Sequence, residues 1–340
     1  MKLILSALLF VAAGPALGKS PKPPTPLFAE DTPIHITIKA PLSTLARERS
    51  DVPVAGTLAL PDGSAPLAIA LSPRGITRRE KDVCAFPPLR VDFAQPPPVG
   101  SVFAHQNRLK LVTHCKTDAD FQQKVLLEYA AYRMFNVLTP LSYRARLAQI
   151  DYVDANGRPY ISRMGFFLED IDDVADRNGL FKATTPDRVP LAQLEPRAAA
   201  RFAIFNYMIG NLDWSMRAGP VGEGCCHNGR LLAATKQPGM QVIPVPYDFD
   251  FSGLVSAPYA EAPAELKVRS VRQRLYRGYC AHGADARIVA AEMAAHRNEL
   301  IGALTSTPNL TPATQARATA YLDGFFKDVA SGTFLTKCVG

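Results

Sequence analysis

After its first residues, the chain has no apolar stretch near the roughly 20 residues a membrane-spanning helix needs, so no membrane span is expected. Its basic residues form no long stripe and its aromatics do not interleave with them. The formal charge of +7 over 340 residues therefore gives little support to nucleic-acid binding. No Cys-x-x-Cys or His-x-x-x-His spacing occurs, which ranks a zinc or copper site below disulfides. There is no internal repeat. Charged residues make up 20% and hydrophobic residues 47%, which excludes a disordered chain and leaves a globular one.

What is present begins with Met1–Gly18, which has the pattern of a secretory signal peptide. Lys2 supplies the charge, Leu3 to Ala13 the apolar run, and Ala16-Leu17-Gly18 the small-x-small cleavage site. The mature chain is expected to be secreted or periplasmic. Residues 19–33 begin rich in Pro, Lys and Ser and are expected to be a disordered leader. Six cysteines in an exported chain argue for disulfides. Cys84 and Cys115 flank adjacent strands and should pair. Cys225 and Cys226 are neighbours that should each reach outward, to Cys280 and Cys338 in an order left open.

Hydrophobic periodicity divides the rest. Alternation predicts strands at Ile34–Ile38, Val54–Leu60, Leu67–Leu71, Leu89–Phe93 and Leu109–Val112, with Pro61-Asp62-Gly63-Ser64 as a hairpin turn. From Ala119 to about Thr139 the spacing is helical, and Pro140 ends it. Tyr143–Val153 and Tyr160–Leu168 are strands joined through Asn156-Gly157, a strong hairpin signal. Beyond Glu169 the pattern is mainly helical: Arg197–Ile209, then helices near Val268–Tyr276, Asp285–Leu304 and Pro312–Ala330. A small hairpin, Leu231–Ala234 with Gln241–Val245, lies among them. The expected class is α+β: a two-lobed, protein-kinase-like fold with a β-rich lobe over 34–168 and a mainly helical lobe over 169–340 that carries a catalytic hairpin.

Two acidic stretches carry the chemistry. Asn211-Leu212-Asp213-Trp214 follows an apolar helix, and Pro246-Tyr247-Asp248-Phe249-Asp250-Phe251 ends a β-branched run. Phosphoryl transfer needs one acid to orient the attacking hydroxyl and another to hold the magnesium on the phosphates. Each stretch read alone is equally an Asx turn. Asp213 is the candidate for the hydroxyl. Asn228, Asp248 and Asp250 are candidate metal ligands, because in an extended segment Asp248 and Asp250 share a side with Phe249 opposite. Glu128 lies on the apolar stripe of its helix and needs a cation. Lys110 is the nearest candidate in sequence, and such a pair would position nucleotide phosphates. Glu169 falls where a hinge would meet a nucleotide base. Arg74, with Arg78, Arg79 and Lys81, is either a solvated loop or a phosphate-facing cluster.

The segments Arg74-Gly75-Ile76-Thr77-Arg78-Arg79, Gly165-Phe166-Phe167-Leu168-Glu169, Asn211-Leu212-Asp213-Trp214 and Val245-Pro246-Tyr247-Asp248-Phe249-Asp250 resemble the CotH family of secreted and spore-coat atypical kinases. The resemblance implies ATP with Mg²⁺ or Mn²⁺ as cofactors, Asp213 in the catalytic-loop position and Asp248 in the metal position. It implies an exported kinase acting on protein hydroxyls, with nucleotide and a protein substrate as partners. The chain departs from the family in having no glycine-rich phosphate loop beyond Arg74-Gly75. The family's sheet lysine maps to Lys110, Lys81 or Arg90, and the stretch from Trp214 to Asn228 is an insertion. A secreted pseudokinase or binding protein is the alternative, and a metal-dependent hydrolase built on Asp248 and Asp250 is a third reading.

Overall fold

Alternating apolar residues build seven strands, and a parallel pairing between distant segments closes them on themselves. The computed structural model describes residues 19–340, so the signal peptide expected over Met1–Gly18 lies outside the described residues. In chain order the first part contains α1 (Pro26–Ala29), β1 (Ile34–Ala40), α2 (Leu42–Glu48), β2 (Val54–Ala59), β3 (Leu67–Pro73), β4 (Leu89–Phe93), β5 (Arg108–Val112), α3 (Ala119–Leu138), β6 (Ala145–Asp154) and β7 (Pro159–Leu168). The remainder contains α4 (Ile171–Arg177), β8 (Phe181–Lys182), α5 (Pro196–Ile209), β9 (Gly229–Ala233), β10 (Ile243–Pro246), α6 (Gly283–Ala295), α7 (Arg297–Thr305) and α8 (Pro312–Ser331).

The strand order β1-β2-β3-β4-β5-β7-β6 closes into a barrel, because β6 returns parallel to β1 in a register from Ile34↔Ala148 to Ala40↔Asp154. All other barrel pairs are antiparallel. This corrects the two-lobed, protein-kinase-like expectation. The chain forms a closed seven-stranded barrel with mixed helices and sheets, not an open β-lobe followed by a helical lobe. Local alternation specifies that a segment is a strand, but the partner that closes a barrel is a long-range choice.

Period-2 alternation lets single strands serve two cores. Leu109 and Leu111 of β5, Ala148 and Ile150 of β6 and Phe167 of β7 fill the barrel. Val112, Leu147, Phe166 and Leu168 face the other way, into a second core shared by α3, α5, α6, α7 and α8. Helix α3 starts where the Asp118 side chain accepts from the Phe121 amide at 2.7 Å, a helix N-cap. It buries Phe121, Val125, Tyr132 and Phe135 as the periodicity required.

Three local expectations are corrected. Residues 19–33 are docked rather than disordered: Leu27 and Phe28 are buried in the barrel core, and Arg144 and Arg146 donate to the carbonyls of Phe28 and Glu30 at 2.8 and 2.6 Å. Val268–Tyr276 forms no helix, since its arginines serve other backbones. Arg274 donates to the carbonyls of Met208 and Tyr321 and stacks on the Tyr321 ring at 4.0 Å. The helix expected over Asp285–Leu304 is two, α6 and α7, broken at His296.

Cys84 pairs with Cys115 as expected. The other pairings differ: Cys225 bonds to Cys226 across a cis peptide, and Cys280 bonds to Cys338. The C-terminal tail decides the latter. Val339 donates to the Gly278 carbonyl and accepts from Cys280, each at 2.8 Å, which brings the two Cα atoms to 5.0 Å. The disulfides are compatible with an oxidising compartment. Among the described residues, no helix is long and apolar enough to cross a membrane. Unreduced peptide mapping should recover Cys84–Cys115 and Cys280–Cys338, and no link from Cys225 or Cys226 to the C-terminal pair. Replacing Cys280 and Cys338 by serine should cost about 2–4 kcal/mol in chemical denaturation.

Candidate functional site

Helix α5 ends at Gly210, whose φ of +66° turns the chain back. A β-carbon at Gly210 would lie 1.9 Å from the Tyr321 hydroxyl, so both the turn and the packing require glycine. The next residues are fixed from within. Buried Asn211 accepts the Asp213 amide on Oδ1 at 3.0 Å, donates to Asn206 Oδ1 at 3.0 Å, and accepts Trp214 Nε1 on its carbonyl at 3.0 Å. Asp213 thereby projects into a cleft. Its Oδ1 lies 2.7 Å from His227 Nε2, and its Oδ2 accepts Asn228 Nδ2 at 2.8 Å. The hydrogen bond to Asp213 raises the His227 pKa against the opposing effect of burial.

The second acidic stretch leaves β10. Phe249 is fully buried, with its ring centre 4.7 Å from that of Tyr132 and 5.4 Å from that of Phe205. This anchor turns Asp248 and Asp250 away from the helical core. Asp248 has a φ of +64°, and its amide donates to Tyr132 Oη at 2.8 Å. Asp250 is buried and accepts the Tyr259 hydroxyl at 2.8 Å.

Arg78 occupies the space among these acids. It lies in the short turn Thr77–Arg79 and is itself buried. Its Nη1 lies 3.0 Å from Glu128 Oε2, its Nη2 3.1 Å from Asp248 Oδ1 and its Nε 3.1 Å from Asp250 Oδ2. Burial opposes its charge, but Asp250, Glu128 and Asp248 outweigh burial and hold the guanidinium well above the ordinary arginine range. Burial also pushes the Glu128 and Asp250 carboxyls up, with Arg78 opposing it. The carboxylate oxygens of Glu128, Asp248 and Asp250 cluster closely enough for one cation. A guanidinium already fills that role, so this triad does not fit a metal ion.

Further basic groups lie near the cleft. Tyr247 has Lys110 Nζ 5.5 Å and the Arg230 guanidinium 4.9 Å from its ring centre. Burial pushes Lys110 down to about 8, and the nearby charge of Arg74 adds to the effect. Asp213, Asn228, Asp248, Asp250, Arg74, Arg78, His227, Arg230 and Tyr247 all line one cleft of about 300 Å³, with Cys225 and Cys226 in its wall. The cleft thus carries both acidic and basic side chains.

Most of the residues singled out from the sequence are therefore brought together: Asp213, Asn228, Asp248, Asp250 and Arg74 directly, and Lys110 behind Tyr247. Two expectations change. Glu128 pairs with Arg78 rather than Lys110, because the turn after Gly75 delivers a guanidinium to it first. Glu169 is no hinge contact. It is buried, paired to Arg177 Nε at 2.9 Å and accepting the Arg144 amide at 2.8 Å. The alternatives to Lys110 are also placed elsewhere, Arg90 on Asp92 and Lys81 exposed in a turn. Sequence reasoning missed His227, Arg230, Tyr247 and the role of Arg78. For Arg78 a signal existed, since an acid on an apolar helical stripe demanded a partner. No known family model matches the chain, and no curated protein does.

Arg78→Ala strips the cation from two buried carboxylates. It should cost about 3–5 kcal/mol at pH 7 in urea unfolding. Without Arg78 those carboxyls hold protons that the unfolded chain releases. The deficit should therefore be smaller at pH 5 than at pH 7, and an equal deficit at both would argue against the cluster.

Proposed function

We propose that this cleft binds ATP with Mg²⁺ or Mn²⁺ and transfers the terminal phosphoryl group to a protein hydroxyl. The observation that carries this reading is the convergence of Asp213, Asn228 and Asp248 with Arg74, Arg230 and the nearby Lys110 around one cavity. Phosphoryl transfer is mostly positioning and charge stabilisation, for which a cleft lined by both acidic and basic side chains offers the groups. Of the segments behind the resemblance to CotH kinases, Arg74–Arg78, Asp213 and Asp248 line this cavity, whereas Gly165–Glu169 does not. An exported chain suits a disulfide-bonded protein.

The chain's own groups divide the work. Arg74 and Arg230 would face the phosphates, with Lys110 adding its charge from behind Tyr247. Asn228 spends its amide nitrogen on Asp213, which leaves its oxygen as a ligand. Asp248 gives one oxygen to Arg78 and has no hydrogen bond on the other among the described residues. Those two oxygens would hold a divalent ion, which would offset phosphate charge. Asp213 accepts one hydrogen bond on each oxygen and retains lone pairs. It can take the proton of the acceptor hydroxyl as the new P–O bond forms and the bond to the β-phosphate breaks. Arg78 favours a second reading, a nucleotide-binding protein without turnover, because it already neutralises Asp250 and Glu128.

Calorimetry and γ-labelled ATP test this. Asp248→Ala should abolish the metal-dependent part of nucleotide affinity. Asp213→Ala should leave affinity within about threefold and lower labelling by roughly 10²–10⁴. Wild type that shows no metal-dependent nucleotide binding would sink the proposal, while binding without labelling would select the second reading. Lys110 is charged below about pH 8 and neutral above it. Nucleotide affinity should accordingly fall between pH 7 and 9, and Lys110→Arg should flatten that decline.

A further inference from the structure

A second cavity of about 300 Å³ lies between α3, α8 and the loop before Arg274. Lys124, Arg272 and Arg317 all line it. None of the three forms an ion pair among the described residues. By contrast, Arg90, Arg133, Arg177, Arg197 and Arg297 each meet a carboxylate. Mutual repulsion is real here: burial lowers the Lys124 pKa, and Arg317 and Arg272 lower it further. Lys124 is half-buried, whereas Arg272 and Arg317 are exposed, so water screens part of their repulsion and an anion joining the three would offset the rest.

The cations are also held in place. The Arg272 guanidinium lies 4.9 Å from the Tyr321 ring centre, and the Tyr321 hydroxyl donates to the Arg272 carbonyl at 3.1 Å. Arg317 Nη2 donates to Thr314 Oγ1 at 3.0 Å, in the first turns of α8. The Gln123 amide ties α3 to the segment before α8, donating to the Asn309 carbonyl at 3.0 Å and accepting from the Thr311 amide at 2.8 Å. A site fixed in this way loses little freedom when a ligand enters.

We infer that this cavity is a binding site for a phosphate-class dianion, either the free ion or a phosphomonoester. Asp120 is the acidic side chain in the lining. Three cations and Asp120 leave two positive charges, which a dianion balances and a carboxylate does not. Guanidinium forks also match the several oxygens of a phosphoryl group. The inference does not depend on the function proposed for the other cleft, where phosphate would also be attracted.

The test therefore uses full-length mature protein carrying Arg74→Gln and Lys110→Gln, titrated calorimetrically at pH 8 and constant ionic strength. Inorganic phosphate and O-phosphoserine are the two probes. Tighter binding of phosphoserine identifies a phosphomonoester as the ligand, and tighter binding of phosphate identifies the free ion. Adding Lys124→Gln and Arg317→Gln should weaken the preferred probe at least about tenfold. In phosphate-free buffer the same two substitutions should leave the melting temperature unchanged or higher, because they relieve repulsion. Affinity that is undetectable for both probes, or unchanged by the two substitutions, overturns the inference. So does a lower melting temperature without phosphate, which would make the side chains structural.

Discussion

One buried guanidinium holds this molecule's cleft in shape. Arg78 joins the turn after β3, the long helix α3 and the segment after β10 through Glu128, Asp248 and Asp250. None of those three segments is near another in sequence. Without a cation the carboxylates would repel one another, and two of them are buried. The turn that carries Arg78 is itself secured: Arg49 is buried and donates to the carbonyls of Arg79, Cys84 and Ala85, while Cys84 is bonded to Cys115 at the end of β5. Disulfide, arginine and ion cluster thus form one chain of support from the barrel to the acids.

Phe249 anchors the acidic segment in the aromatic core, and the ring of the neighbouring Tyr247 has Lys110 and Arg230 close to it. Asp213 comes from a different element, α5, and is oriented by Asn211 and Asn228 rather than by the ion cluster. The cleft is therefore assembled from two acidic pieces that are positioned separately. It also limits where a metal can go, since Arg78 has taken the triad that proximity alone would have nominated.

Much of this was legible beforehand. Strand alternation located β1 to β7 because a half-buried strand must alternate. Glu128 was readable as a buried acid needing a cation, and Asp248 and Asp250 do both reach Arg78, but through a left-handed Asp248 with φ +64° rather than the extended segment expected. The identity of Glu128's partner was not readable. Lys110 is closer in sequence, yet the turn after Gly75 brings Arg78 nearer in space. The segment 268–276 has helical spacing, but its Arg274 is drawn to the carbonyls of Met208 and Tyr321. The cysteine pairing failed for the same kind of reason. The tail around Val339 pairs with Gly278 and Cys280, a contact that no spacing announces.

The sequence by itself determined the barrel strands and the helix α3, the acids that would face a common space, and the need for cations to meet them, because these follow from local periodicity and from the cost of burying charge. Only the tertiary structure decided that β6 returns beside β1 to close a barrel, that Glu169 belongs to Arg177, and that Arg78 rather than a metal sits among Glu128, Asp248 and Asp250. Those outcomes depend on which distant segments meet, and chain connectivity leaves many such meetings open until packing selects one.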